Sequence, residues 1–84
     1  MLHWVYISKN RQDILKIALS DDISKCLSEM KMDEQIIYLR PFKLPFDALA
    51  HKHLLGDLSK ASVLFLIKKN QKETERLLRS VTII

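Results

Sequence analysis

Eighty-four residues, 48% apolar and 29% charged, make one domain over 1–84 with just enough apolar material for a packed core, which excludes a disordered chain. No apolar run approaches the roughly 20 residues that cross a bilayer, the start lacks the basic and apolar regions of a secretory signal, and one cysteine cannot close an internal disulfide, so the expectation is a cytoplasmic protein with no membrane partner. The net charge of +4 is thinly spread, eight basic against seven acidic residues in 1–56 and six against three in 57–84, and argues only modestly for a polyanionic partner.

Residues 2–8 predict the first strand, because Trp4, Val5, Tyr6 and Ile7 are aromatic or β-branched and suit a pleated, half-buried surface. A turn at Lys9-Asn10-Arg11-Gln12 leads to a second strand at 14–19, making a hairpin. After Ser20 the spacing becomes helical: Ile23, Cys26, Leu27 and Met30 recur at i, i+3, i+4 and i+7, predicting a helix over about 21–32 with Ser20 as cap and Asp21 and Asp22 at its positive end. Residues 35–42 predict a third strand, with Pro41 at a strand end or on an edge. Pro45 then opens a helix whose spacing places Phe46, Leu49, Ala50, His53 and Leu54 on one face, and Gly56 is read as its left-handed stop.

Residues 57–69 are open to two readings, since the unbroken run Val63 to Ile67 suits a buried helix or a central strand. Helix is favoured, with Asp57 or Ser59 as cap and Leu58, Ala61, Leu64, Phe65 and the stem of Lys68 on one face. A last helix follows, with Asn70 and Glu73 as a capping-box pair, Thr74, Leu77, Leu78 and Val81 on one side and Lys69, Lys72, Arg76 and Arg79 on another. The order β-β-α-β-α-α-α defines an α+β domain, a small antiparallel sheet carrying helices.

Among single residues, Cys26 on the apolar stripe reads as a packed thiol and Tyr6 as a core aromatic. His51 and His53, two apart on a helix, point in different directions and argue against a shared metal; no metal site and no cofactor is expected.

Two blocks then resemble a known family. The first is Val5-Tyr6-Ile7, Lys16-Ile17-Ala18 and Ser20-Asp21-Asp22-Ile23-Ser24-Lys25-Cys26-Leu27; the second is Phe42, Asp47-Ala48-Leu49, Leu58-Ser59-Lys60-Ala61 and Leu66-Ile67 with Asn70 beyond. In this order they resemble the small stand-alone members of the GIY-YIG endonuclease superfamily, across most of the chain. The resemblance implies a three-stranded antiparallel sheet flanked by helices, and helix for 57–69. It also implies a site in which two tyrosines, an arginine on the first helix and a glutamate on the second hold a divalent metal that helps hydrolyse a DNA phosphodiester.

Carried over by position, that site is mostly replaced. Tyr6 keeps the first tyrosine, Lys16 stands for the second, Ala18 for the last motif glycine, Cys26 for the arginine and Lys52 for the glutamate. The usual Gly-rich loop after the first helix gives way to the short 31–34 connection. An ammonium in place of a carboxylate opposes Mg²⁺, so the resemblance implies a non-catalytic relative rather than an enzyme. Lys16 and Lys52 would then share one concave basic surface, with Lys43, Lys60, Lys69, Lys72 and Arg76 as further contacts to DNA or RNA phosphates. Two alternatives are an interaction domain self-associating through Val81-Thr82-Ile83-Ile84, and a nuclease with a rearranged site using Asp47, Asp57 or Glu73.

Overall fold

The first strand of the chain lies in the middle of the sheet. The computed structural model describes residues 1–82, residue 82 by its backbone alone, and runs β1 (His3–Lys9), β2 (Leu15–Ser20), α1 (Ile23–Glu29), β3 (Gln35–Phe42), α2 (Pro45–Asp57), α3 (Lys60–Lys69) and α4 (Gln71–Thr82). The three strands form an antiparallel sheet in the order β2-β1-β3, and with four helices the class is α+β. No helix among the described residues is long and apolar enough to cross a membrane.

The hairpin forms as its residues dictate. Trp4 to Lys9 pair with Ser20 to Leu15, and the loop between is held by Asn10, whose side-chain oxygen accepts from the backbone N–H of Gln12 and Ile14 at 2.9 and 3.0 Å. Asp13 takes a left-handed φ of 62°, a conformation that a short polar side chain tolerates. On the other side β1 pairs with β3, where Ile7 faces Tyr38 and Ser8 faces Ile36, so Ile37 is an extra residue in a bulge. Pro41 falls on β3, an edge strand, where a missing donor is tolerated. Part of that edge is covered from outside: Thr74 of α4, buried, accepts from the Leu39 N–H at 3.3 Å.

Alternation along β1 builds two cores. Val5 and Ile7 point to one face, where Tyr38, Ala48 and Leu55 of α2 and Val63 of α3 complete the cluster. Trp4 and Tyr6 point to the other, where Ile23, Ile36 and Leu39 join Cys26 and Leu27 of α1, Met30 just after it, and Leu77, Leu78 and Val81 of α4. The sheet is thus a middle layer with two helices on each side.

Several sequence expectations shift. The first helix is capped by Asp22, whose carboxylate accepts from Lys25 N–H at 3.1 Å, while Ser20 accepts from Asp22 N–H one step earlier. That helix ends at Glu29, because Met30 turns extended, rather than continuing to residue 32. Gly56 is not a left-handed stop: no glycine has positive φ, and α2 ends at Asp57 with Leu58 extended. Ser59 caps α3, accepting from Ser62 N–H at 3.2 Å. The capping box of Asn70 and Glu73 does not form as expected; Asn70 closes α3 by donating its amide to Leu66 O, and Glu73 pairs with Arg76.

The largest correction concerns which side of α2 is inside. Ala48 and Leu55 are buried and His51 and Lys52 half-buried, whereas the expected core face of Phe46, Leu49, Ala50, His53 and Leu54 is exposed throughout. On α3 likewise Val63, Leu66 and Ile67 pack inward, and Leu64 and Phe65 face solvent. Of the tail, Val81 packs into the second core, which removes it from a free surface; Ile83 and Ile84 lie outside the described residues.

Candidate functional site

The residues at three of the family-derived positions meet. A pocket of about 370 Å³ between β2, α1 and the turn after it is lined by Tyr6, Lys16 and Cys26, with Lys25, Lys31, Asp21, Asp22, Glu29 and Glu34 around them. The pairing explains this: Tyr6 faces Ala18 and Ser8 faces Lys16, so Tyr6 and Lys16 share a face of the sheet, and the Cys26 face of α1 packs onto it. Tyr6 is buried and its phenol is pushed up to about 12, first by burial and then by the Cys26 thiol beside its hydroxyl. A phenol held so firmly neutral is not a base at ordinary pH.

Lys52 does not belong to this pocket. It rides on α2, which packs on the opposite face of the sheet through Ala48 and Leu55, so the shared concave surface expected for Lys16 and Lys52 is absent. The acidic residues around the pocket offset its lysines, leaving a mixed lining instead of a basic one. Among the described residues, no three of His, Cys, Asp and Glu are grouped as ligands for a metal ion.

The remaining basic candidates are dispersed. Lys43 precedes α2, Lys60 opens α3, and Lys69 and Lys72 flank the α3–α4 junction beside Lys68. Arg76 is committed to Glu73, its Nε donating at 3.0 Å; the guanidinium holds that carboxylate below its usual range and is itself raised in return. Asp47 and Asp57 lie at the two ends of α2 and Glu73 on α4, across the sheet, so the rearranged acidic site is not assembled.

Two features went unseen in the sequence. The first is an aromatic cluster on the α2 side: the Tyr38 hydroxyl lies 2.8 Å from His51 Nε2, the His51 ring packs 5.2 Å from the Phe42 ring, and Arg40 sits 5.4 Å over the Phe42 ring. Burial, then the nearby Arg40 charge, lowers the His51 pKa, and a neutral ring can accept the phenol proton at Nε2. Tyr38 and His51 stand 13 residues apart on a strand and a helix, a separation that local periodicity does not report. The second is the outer face of α2, where Phe46 is 82% exposed and Leu54 is 54% exposed, with Leu49, Ala50 and His53 between them. Separately, Leu58 after α2 and Ala61, Ser62, Phe65 and Leu66 of α3 form an apolar groove of about 410 Å³.

The chain matches no protein-family model, no curated protein and no solved structure. The class defined by fold and surface is therefore a small α+β domain, with a three-stranded antiparallel sheet between two helical layers, that presents an uncovered apolar helix face.

Proposed function

We propose that this chain is a non-catalytic interaction domain, working in the cytoplasm on a framework like that of the GIY-YIG endonucleases, and that it acts by docking a protein surface on α2. One observation carries the reading: the better apolar stripe of α2 points to solvent, while its inner side needs only Ala48 and Leu55 to hold the sheet. A helix apolar on both sides is normally covered on both. Large apolar side chains at helical spacing on an exposed face are the usual anchors of a helix-mediated interface. The absence of catalysis rests on Lys52 in the place of the glutamate and on the neutral, buried phenol of Tyr6.

The testing experiment is a titration with the apolar dye bis-ANS at protein concentrations low enough to keep copies apart. Saturable binding is expected, and Phe46→Lys with Leu54→Lys should abolish it while circular dichroism is retained. Absence of dye binding to the unaltered chain would refute an accessible apolar face.

A second reading, binding of nucleic acid, is favoured by the exposed Lys68, Lys69 and Lys72 at the α3–α4 junction, for which no ion pair is formed among the described residues. Such binding would weaken steeply with salt as counterions are released, and a labelled duplex and single strand titrated at low and moderate salt test it.

A further inference from the structure

We infer that the occupant of the outer α2 face is a second copy of this chain, packed antiparallel so that a two-fold axis passes beside Ala50. The inference rests on reading that face as a docking surface and adds the identity of what covers it. Three properties of the face favour a second copy.

The first is symmetry of bulk. At about 100° per residue, Phe46, Ala50, His53 and Asp57 run along one stripe, with Leu49 and Leu54 flanking it. Ala50 is at the centre and is the smallest side chain there, so two such helices can approach closely at that point. Phe46 and Leu54 lie four residues on either side of it, about 6 Å each way. An antiparallel mate therefore brings Phe46 of one copy alongside Leu54 of the other, twice.

The second is charge. Lys43 and Asp57 stand seven residues on either side of Ala50, both exposed, and neither has an ion pair among the described residues. Antiparallel pairing sets the lysine of each copy near the aspartate of the other. Parallel pairing would oppose like charges.

The third is the apolar area that a mate would cover. At about 200 Å² per aromatic residue, Phe46 at 82% exposure leaves roughly 160 Å² in water, before Leu44, Leu49 and Leu54 are added. A standard interface takes about 800 Å² per partner, so the apolar patch supplies its core and the polar flanks its rim.

Sedimentation over a concentration series should show a monomer–dimer equilibrium, with Ala50→Glu raising the dissociation constant at least tenfold at unchanged circular dichroism and melting. Lys43→Glu alone should weaken the dimer several-fold, and adding Asp57→Lys should restore it, a rescue that a fold defect cannot give. Ala50→Cys in a Cys26→Ala background should form an intermolecular disulfide under mild oxidation much faster than Ser24→Cys on exposed α1. A monomer at every concentration, or a dimer in which the two cysteines cross-link at equal rates, overturns the inference. The bis-ANS titration separates the two levels: dye bound at all concentrations by a persistent monomer defeats the second copy and leaves the docking face standing, whereas no dye binding by a monomer defeats both.

Discussion

Leu54 and Leu55 are neighbours of identical chemistry on opposite sides of α2, and replacing each by alanine tests which side is inside. Leu55 is 1% exposed, against the Val5, Ile7 and Tyr38 surface of the sheet. Its truncation removes three buried carbon groups at about 0.8 kcal/mol each. A residual cavity of roughly 40 Å³ at about 24 cal/mol per Å³ adds about 1 kcal/mol, for a total near 3 kcal/mol. Leu54, 54% exposed, loses less than half the transfer contribution and leaves no cavity, so about 1 kcal/mol is expected at concentrations where copies are apart. Urea unfolding followed by fluorescence of Trp4, the sole tryptophan and a member of the opposite core, reports global unfolding. With a slope of about 1 kcal/mol per M for a domain this small, Leu55→Ala should lower the midpoint by about 3 M and Leu54→Ala by about 1 M. Equal losses, or a larger one for Leu54→Ala, would mean that the helix is rolled and its apolar stripe lies inside.

The raised Tyr6 phenol makes stability depend on alkaline pH: below 10 both folded and unfolded chains keep it neutral, and from there to about 12 only the unfolded chain ionises, so stability falls over that window. Tyr6→Phe should flatten that fall in denaturation curves taken at stepped pH; an unchanged slope refutes it. For His51, held below the ordinary 6.5, the unfolded state takes up the proton first, so stability present above 6.5 is lost as pH drops through the folded value, and NMR titration should place its midpoint under 6.5. Asn10→Ala deletes the acceptor of two backbone N–H groups in the hairpin loop and should cost about 1 kcal/mol by thermal denaturation, with no change in Trp4 emission of the folded state. Supercoiled plasmid incubated with Mg²⁺ or Mn²⁺ should stay intact, and EDTA-sensitive nicking would overturn the non-catalytic reading.

The sheet was legible because its strands declare themselves locally. Trp4 to Ile7 and the run 35–42 read as extended from β-branched and aromatic content alone, Lys9 to Gln12 read as the turn of a hairpin, and Pro41 pointed to a strand end or the edge on which it sits. Helix α1 was legible too, since its one apolar stripe is also its buried one. What misled was α2, where spacing is a record of two surfaces at once. Phe46, Leu49, Ala50, His53 and Leu54 make a fuller periodic set than Ala48, His51, Lys52 and Leu55, and periodicity cannot say that the poorer set faces the sheet. The inner side is chosen by long-range partners, the Tyr38 hydroxyl for His51 and the floor of Val5 and Ile7 for Leu55. Pocket membership failed for the same reason. Lys16 and Lys52 look equivalent in sequence, yet α1 and α2 leave the sheet on opposite faces.

Because β1 is made first and sits between the other two strands, half of its hydrogen-bonding groups wait for a partner that the ribosome delivers some thirty residues later. A chain lacking everything from Gln35 onward would hold the hairpin and α1 alone, with Val5 and Ile7 unroofed on one side of β1 and one edge of that strand unpaired. Commitment to the native topology therefore falls at the docking of β3, the step that first pairs the second edge of β1 and gives α2, α3 and α4 a sheet to pack on.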